Sequence, residues 1–319
     1  MTDPGRRLPT FLLVGAQRAG TTALVHCLRQ HPDVFMSPIK EPIFFARDFD
    51  VGAFAPEIRR PMLLRFRAAE DYWRQKRSKA PIGLIRDWDQ YLDLFRDAGR
   101  RRALGEACTW NLASAVAAEE IRRRLPDARI VMVLRNPIDR AYSAYLLFRG
   151  HGRVGGSFRS NIERELREGL DFGRSLGFVH FGRYHQAVSR YLQHHARERV
   201  RIYLYDDFRH DPRTLLRDLF GFLGIDPDFP VDVSGEYNPP LMPRFPGVNR
   251  WLAGLEAWLP GLRLVPPHTR RIGGLYWSRR RAPPMRQEDR ALLRSVFADD
   301  VRDLGSLIGR DLSHWLSRP

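Results

Sequence analysis

Cysteine and lysine are the residues that this chain of 319 amino acids uses least. Cys27 and Cys108 are too few for a disulfide framework, so a reducing compartment and a cytoplasmic location are expected. They also lack histidine neighbours at ligand spacing, which argues against a metal site. The longest apolar run near the start, residues 11–14, ends at Gly15 and is too short for a signal peptide or a spanning helix. These absences argue against secreted, membrane-spanning and zinc-finger proteins.

The positive charge of the chain comes almost entirely from arginine. Of 53 Lys and Arg residues only three are Lys, and against 37 Asp and Glu residues they give a formal net charge of +16. This bias is explained either by solvated surface residues or by an anionic partner, such as a phosphorylated cofactor, an acidic substrate, nucleic acid or an anionic membrane. The arginine clusters at 100–102, 122–124 and 279–281 match no standard nucleic-acid-binding module, so no nucleic-acid partner is expected.

The first candidate site is residues 11–24, FLLVGAQRAGTTAL, which read as a buried strand, a glycine-bearing turn and the start of a helix. This arrangement directs backbone N–H groups and a helix N-terminus at one point, which suits a phosphate. Arg18 and the hydroxyls of Thr21 and Thr22 add donors. The Gly-x4-Gly spacing is that of a Walker A loop, but Thr21 stands where that motif has Lys. A capped helix without a ligand is the alternative interpretation.

A second candidate phosphate site follows at residues 130–145, IVMVLRNPIDRAYSAY. In a P-loop enzyme that uses ATP or GTP, this strand would end in Asp, which helps to hold Mg²⁺. Here it ends in Arg135, and arginine binds phosphate through two parallel hydrogen bonds. Ser143 lies two helical turns further on. The two motifs together predict a cofactor with phosphates at two places and no essential metal, with a surface ion pair of Arg135 as the alternative.

Apolar segments alternate with amphipathic ones along the chain, which predicts an α/β fold. Strands are predicted at 12–14, 103–106, 130–134 and 200–205, and helices at 22–30, 91–96, 119–125, 137–145, 182–195, 212–223 and 291–315. We therefore expect a single P-loop-like domain over residues 1–319, with a central parallel β-sheet flanked by helices on both faces. Residues 51–81, rich in arginine and aromatic residues, are expected to form a helical insertion.

The two phosphate motifs together resemble those of the sulfotransferases that use 3′-phosphoadenosine 5′-phosphosulfate (PAPS). VGAQRAGTTAL is similar to their 5′-phosphosulfate loop, and VLRNPIDRAYSAY to their 3′-phosphate segment. Four further stretches are similar, in the same order, to the branch that contains heparan-type glycan sulfotransferases and bacterial relatives: HPDVFMSPIKEPIFF at 31–45, GEACTWNL at 105–112, FGRYHQAV at 181–188 and RRRAPPM before the last helix. The resemblance extends from about Phe11 to Trp315.

The resemblance implies transfer of a sulfuryl group from PAPS to a hydroxyl or an amine, with 3′,5′-ADP as the product and no metal. The residues it implies for cofactor binding are Arg18, Ala19, Gly20, Thr21, Thr22, Ala23, Arg135, Ser143, Tyr184, Arg279 and Arg280. Arg18 stands where many members of the family have Lys, and we expect it to contribute to catalysis as well.

Glu41 is the candidate general base, because it precedes a Phe pair as the corresponding Glu does in the family. Phe44 and Phe45 are expected to exclude water from the Glu41 carboxylate, which disfavours its charged form. Lys40 would instead favour the charged form if its ammonium group points at Glu41. The alternatives are a surface Lys–Glu pair at this position and a histidine base. The histidines considered are His26, expected to be packed in the first helix, His31, expected to cap that helix, and His151.

The resemblance implies that Glu106 orients the acceptor or supports a residue that contacts it, and His151 is expected to reach the acceptor. The acceptor itself is expected to lie among residues 51–81, 147–177 and 237–267, the variable parts of the chain. Arginines among aromatic residues in the first of these favour a small-molecule, glycan or glycolipid acceptor of acidic or amphipathic character, and a carbohydrate-bearing one above all. A Trp and Leu stripe within 251–262 indicates either core packing or contact with a lipophilic acceptor or a membrane surface.

Two other functions remain open at this point. One is a P-loop kinase of small molecules, and the other is a non-catalytic anion-binding protein, which the net charge permits.

Three positions depart from the family pattern in the segment expected to form the acceptor wall. Cys108 and Thr109 replace Ser-Pro there, and Asn111 replaces Tyr.

Overall fold

The structure is a computed structural model. It describes residues 7–54, 83–169, 176–235 and 283–317, together with 59–60, 62–63, 66, 172, 242–243, 247–248, 251–252, 255 and 277–278. Most of the predicted insertion at 51–81 and most of the segment 237–267 lie outside these residues, as does half of the Trp and Leu stripe. Those predictions therefore stay predictions.

Five parallel strands form a central sheet in the order β2-β3-β1-β4-β5. The strands are β1 (Phe11–Gly15), β2 (Val34–Met36), β3 (Ala103–Ala107), β4 (Arg129–Leu134) and β5 (Val200–Leu204). In the register, Phe11 lies opposite Gly105 on β3 and opposite Arg129 on β4. All five residues of β1 are buried, as expected for a central strand with layers over both faces. The four predicted strands are confirmed, whereas β2, only three residues long, was missed.

Helices surround this sheet and confirm the predicted α/β fold. In the described residues they are α1 (Thr21–Leu28), α2 (Trp88–Asp93), α3 (Trp110–Ala113), α4 (Ala117–Arg124), α5 (Pro137–Gly150), α6 (Phe158–Arg167), α7 (Tyr184–His194), α8 (Tyr205–His210), α9 (Pro212–Leu223), α10 (Gln287–Ile308) and α11 (Ser313–Ser317). Short 3₁₀ turns occupy Val51–Ala53, Arg96–Ala98, His180–Gly182 and Arg197–Arg199. A separate antiparallel pair joins β6 (Met242–Pro243) to β7 (Trp277–Ser278). The sequence analysis did not predict α3, α6 or α8.

Local signals explain where α5 begins and ends. The Asn136 side chain accepts a hydrogen bond from the Ile138 N–H, and Pro137 occupies the first helical position, where it loses no hydrogen bond. The helix continues five residues beyond the predicted end at Tyr145, because no helix-breaking residue stands before Gly150. Ser143 therefore lies in the middle of a regular helix that starts at the carboxyl edge of the sheet.

The predicted helix 291–315 is wrong in one respect, since two helices occupy this region. Gly309 has a φ of 66° and ends α10 in the left-handed conformation that glycine adopts without steric cost. Trp315, on α11, is fully buried, and its carbonyl accepts a hydrogen bond from the Asn136 side chain at 2.8 Å. The end of the chain is thereby joined to the turn that starts α5.

One hydrophobic core extends over the described residues from Phe11 to Trp315. Packing in it is close around Gly105, because a Cβ at this position would overlap the Phe11 ring on the neighbouring strand. Both cysteines are buried and unpaired with each other. Of the helices that the structure describes, none is both long and apolar enough to cross a membrane. The carboxyl ends of β1 and β4 meet at one edge of the sheet, which is where α/β folds bind ligands.

Candidate active site

The loop between β1 and α1 has the geometry that phosphate binding requires. The N–H of Ala16 donates to the Val133 carbonyl of β4 at 2.7 Å, which attaches the loop to the sheet edge. Gly20 caps α1 with a φ of 84°. Since the first helical hydrogen bond runs from Leu24 to Gly20, the N–H groups of the first turn are left for another acceptor. They belong to Thr21, Thr22 and Ala23, and together with the helix dipole they favour an anion.

Arg18 and Ser143, from the two predicted phosphate motifs, are in direct contact. The Arg18 Nε donates a hydrogen bond to the Ser143 Oγ at 3.0 Å. Arg135, at the end of β4, donates from Nη1 to the Arg18 carbonyl at 3.0 Å. The Arg135 guanidinium also lies over the Tyr205 ring, 4.9 Å from its centroid. The structure therefore brings the two motifs into one site.

The electrostatics of this site are those of an anion-binding pocket. Burial, together with repulsion from Arg135 and Arg140, lowers the pKa of the Arg18 guanidinium to about 10. Among the residues that the structure describes, none of these three arginines forms a salt bridge with a carboxylate. Glu165 acts on Arg140 from nearby, but the cluster keeps an excess of positive charge, and an anionic ligand would relieve its mutual repulsion.

Arg140 is a site residue that the sequence analysis missed. It is fully buried, and its Nη2 donates at 2.6 Å to the carbonyls of both Gly177 and Phe178. Its Nε and Nη1 have no hydrogen-bond partner among the described residues, and burial lowers its pKa. In the sequence, the one indication that Arg140 belongs to the site is its position on the same predicted helix, three residues before Ser143. Arg140 holds the loop that leads into α7 while it contributes positive charge behind Arg18.

Tyr184, predicted as a cofactor contact, begins α7 beside these arginines. Its side chain is buried, and its hydroxyl has no hydrogen-bond partner in the described part of the chain. Burial raises the pKa of this hydroxyl to about 12, against the lowering effect of Arg140 and Arg135. Asp300 of α10 accepts hydrogen bonds from the Tyr184 and His185 amides, which fixes the start of α7.

Glu41, the predicted base, is held from several sides. Its Oε2 accepts a hydrogen bond of 2.7 Å from the Thr109 N–H, and the Thr109 hydroxyl lies 3.2 Å from the same oxygen. The Lys40 Nζ is 3.0 Å from Oε1, so this lysine does point at Glu41. Phe44 and Phe45 are fully buried, and both rings pack against Tyr91, which anchors the loop. The carboxylate therefore has one defined orientation and keeps a small exposed surface, 13% of the side chain.

Glu106 is fully buried, so in this structure it reaches an acceptor only through other groups. The Asn111 Nδ2 donates to its Oε1 at 3.0 Å, whereas Oε2 has no partner among the described residues. Burial raises the pKa of Glu106 to about 8, against the effect of Asn111 and the nearby Tyr91 hydroxyl, and the charge of Glu41 adds to the rise. Its protonated form is therefore favoured at pH 7. Asn111, in place of the family's Tyr, is itself buried and turned toward Glu106.

The remaining predicted site residues are distributed as follows. His151 follows the end of α5, where its Nδ1 lies 2.7 Å from the Leu147 carbonyl, and its predicted contact with an acceptor stays a prediction. Ala19 is buried in the phosphate loop. Arg279 and Arg280 lie outside the described residues. His26 is exposed on α1, so the expectation that it packs in the core is wrong, because it lies on the outer face of that helix.

A cluster of arginines lies at the carboxyl edge of a parallel sheet, and a positioned carboxylate lies on the same edge. This arrangement is that of a P-loop-like group-transfer enzyme. The family model described as "Sulfotransferase family" matches residues 9–229, and the chain belongs to that family. It is a sulfotransferase, an enzyme of class EC 2.8.2 that transfers sulfuryl groups. Within the described residues, no cluster of His, Cys, Asp or Glu is arranged to hold a metal ion.

Similar proteins include a solved structure and several longer enzymes. The crystal structure of a sulfotransferase from Alicyclobacillus acidocaldarius has a TM-score of 0.68 and 30% identity, and the match covers 97% of this chain and 99% of that one. Mouse bifunctional heparan sulfate N-deacetylase/N-sulfotransferase 4 is 25% identical over 319 residues, and human N-deacetylase/N-sulfotransferase 2 is 28% identical over 320. Both matches cover 97% of this chain but 31% of the relative. The chain therefore spans about a third of the length of these relatives.

Proposed function

We propose that the sulfuryl donor is PAPS and that the joined phosphate motifs bind it. The observation that carries this proposal is the cluster of Arg18, Arg135 and Arg140, none of which forms a salt bridge among the described residues. The N–H groups and hydroxyls of Thr21 and Thr22 are suited to its 5′ side, and Arg135 and Ser143 to its 3′-phosphate. Arg279 and Arg280 are proposed to add positive charge. When bound, the donor supplies a sulfuryl group, and its transfer releases 3′,5′-ADP.

We propose Glu41 as the general base of the reaction. A new bond forms between sulfur and the acceptor oxygen or nitrogen as the bond between sulfur and the 5′-phosphate oxygen breaks, and the acceptor proton passes to Glu41. Thr109 orients the Glu41 carboxylate. Arg18 and the α1 amides face the negative charge that develops on the leaving phosphate, and as fixed donors they stabilise it without reorganisation.

The proposed acceptor is a hydroxyl or amine of a carbohydrate-bearing or small molecule, including a glycan or a glycolipid. The similarity to enzymes named heparan sulfate N-sulfotransferases supports this proposal. A cytoplasmic location and peripheral contact with a membrane surface stay predictions of the sequence. A P-loop kinase is not favoured, because Thr21 replaces the loop Lys and Arg135 stands where the strand of such a kinase ends in Asp.

Calorimetric titration with 3′,5′-ADP in the absence of magnesium tests the donor site. We expect binding with a micromolar Kd, and a loss of about a hundredfold in Arg135→Ala, because a bidentate arginine–phosphate contact is removed. Arg129→Ala is the matched control, since Arg129 starts the same strand at its opposite end and should leave the affinity unchanged. Failure of the folded wild-type protein to bind, or binding of ATP with Mg²⁺ instead, would refute the proposal.

A further inference from the structure

Trp110 lies next to the residue that holds the proposed base. The Thr109 N–H donates to the Glu41 carboxylate at 2.7 Å, and Trp110 then begins α3. The same short helix packs against the end of β1, since a Cβ on Gly15 would come within 2.6 Å of the Leu112 side chain. The loop proposed to bind the donor starts at this end of β1. Helix α3 therefore contacts both the segment that holds the base and the start of the donor loop.

Aromatic rings surround the Trp110 indole and fix its orientation. The centroids of Phe49 and Phe181 lie 4.8 and 5.3 Å from it, and those of Phe172 and Phe54 lie 5.9 and 6.3 Å away. All four rings meet the indole edge to face, an arrangement that is favoured between aromatic groups. Phe49, Phe54 and Phe181 are buried, whereas Trp110 and Phe172 keep part of their surface exposed. The cluster therefore presents two partly exposed rings over a buried aromatic layer.

These rings come from the segments expected to shape the acceptor site. Phe54 belongs to the variable segment 51–81, and Phe172 belongs to the segment 147–177. Phe66, also of the first segment, is buried in the same cluster. The two arginines of the first segment that the structure describes are at least partly exposed. The described part of this segment therefore supplies aromatic rings, rather than positive charges, to the cluster beside the base.

The exposed surface of the cluster favours an apolar group next to the base. An apolar ring that covers Trp110 and Phe172 removes apolar surface from water and adds favourable contacts between rings. A polyanionic glycan would instead lose hydration over the same rings. Lys40 offers such a glycan little compensation, because its Nζ is already 3.0 Å from the Glu41 Oε1. The described surroundings of the base therefore suit an acceptor with an apolar ring near its reacting group.

We propose that Trp110 determines acceptor specificity, and that the acceptor is a small alcohol, amine or glycoside with an apolar ring close to the reacting group. The ring packs on the exposed surface of Trp110 and Phe172, and the reacting hydroxyl or amine faces Glu41. This inference rests on the proposed function, because it narrows the range of acceptors for the same reaction. Within that range it selects amphipathic molecules over polyanionic glycans.

Two matched pairs of acceptors test the proposal with radiolabelled PAPS as the donor: phenyl and methyl β-glucoside, and phenylethanol and ethanol. The members of each pair share the reacting hydroxyl groups and differ in the apolar ring. We expect kcat/KM to be at least about tenfold higher for the ring-bearing member of each pair, mainly through a lower KM. An unsulfated heparan oligosaccharide, which is a polyanionic glycan, should be a poorer acceptor than phenyl β-glucoside.

Trp110→Ala should reduce this preference to less than about threefold, because the ring loses its covering surface, whereas Trp110→Phe should retain most of it. Both variants should bind 3′,5′-ADP as the wild type does, which separates a lost acceptor contact from a failure to fold. Phe222→Ala is the matched control, because this partly exposed ring lies beneath Arg129 and Arg201 at the opposite edge of the sheet. The control should keep the full preference.

Three results would overturn the inference: equal kcat/KM within both pairs, a preference for the heparan oligosaccharide, or an unchanged preference in Trp110→Ala. Binding of 3′,5′-ADP without transfer to either ring-bearing acceptor would overturn it as well. All of these outcomes concern the acceptor and leave the proposed donor in place. A folded wild-type protein that binds no 3′,5′-ADP would refute the proposed function itself.

Discussion

Replacing Glu106 with glutamine should stabilise this protein, and increasingly so as the pH rises. The buried carboxyl accepts a hydrogen bond from Asn111 through Oε1, and a glutamine oxygen can accept the same bond. The substitution therefore removes an ionisable group while it keeps the size and the acceptor. Glutamine has no proton to lose in the accessible pH range, so it cannot place a charge in the core.

The magnitude follows from the pKa of Glu106. Its rise from the ordinary value of 4.5 to about 8 corresponds to about 5 kcal/mol of unfolding free energy. Between these two values the unfolded chain has lost the proton that the native state retains, so the free energy of unfolding falls as the pH rises. Below pH 4.5 and above pH 8 this contribution no longer changes with pH. Burial raises the pKa of the neighbouring Tyr91, Cys108 and Tyr191, so these three groups stay neutral in this range.

Urea denaturation of the wild type and of Glu106→Gln at pH 5, 6, 7 and 8 measures the effect. We expect nearly equal stability at pH 5 and an advantage of up to about 5 kcal/mol for the variant at pH 8. Glu165→Gln is the matched control, because the buried Glu165 carboxylate accepts hydrogen bonds from the amides of Phe178, Val179 and His180. That control should be destabilised by roughly 1–3 kcal/mol, since it weakens charge-assisted bonds.

A difference between wild type and Glu106→Gln that stays constant from pH 5 to pH 8 would refute this reasoning. Glu106 would then be ionised in the native protein at neutral pH, and its charge would have to be balanced in the core. A destabilised Glu106→Gln variant at pH 8 would lead to the same conclusion.

Two further predictions concern the loop and the base. Gly20→Ala should lower both the unfolding free energy, by about 1–2 kcal/mol or more, and the affinity for 3′,5′-ADP, because a φ of 84° is strained for alanine and the Tyr205 ring blocks its Cβ. Gly169→Ala, at a φ of 55° with open space around it, should show the smaller loss in urea denaturation and unchanged binding. Glu41→Gln should slow sulfuryl transfer from labelled PAPS at least a hundredfold, the usual contribution of a general base, with unchanged 3′,5′-ADP affinity by calorimetry; a loss below threefold would exclude Glu41 as the base.

The parts of the fold that the sequence predicted best are those with strong local patterns. β1 and β4 are mostly buried apolar runs bounded by turns. Asp211 and Pro212 signal the start of α9 and Gly224 its end, and its predicted limits are confirmed. The elements missed were short or weakly patterned. Both β2, with three residues, and α3, with four, are shorter than a periodicity can reveal.

The candidate site divides in the same way. Each phosphate motif is a continuous strand–turn–helix segment, so its capacity to bind phosphate can be predicted from neighbouring residues alone. Arg140 was missed because nothing in its local sequence shows that its side chain is buried against the carbonyls of Gly177 and Phe178. For Glu106 the resemblance implied an orienting or supporting role, but its burial and its hydrogen bond with Asn111 depend on the layers packed over β3 and could not be predicted from the sequence.

The amino-acid sequence by itself determined the class of fold and the two phosphate motifs, because hydrophobic periodicity, glycine positions and helix starts act over a few residues. Only the tertiary structure decided which side chains meet. The Arg18–Ser143 contact spans 125 residues and the Thr109–Glu41 contact spans 68. Such pairs depend on the order of the strands in the sheet and on what is buried between them. Burial raises the pKa of Glu106, whereas Glu41 keeps part of its surface exposed, and no local pattern specifies either environment.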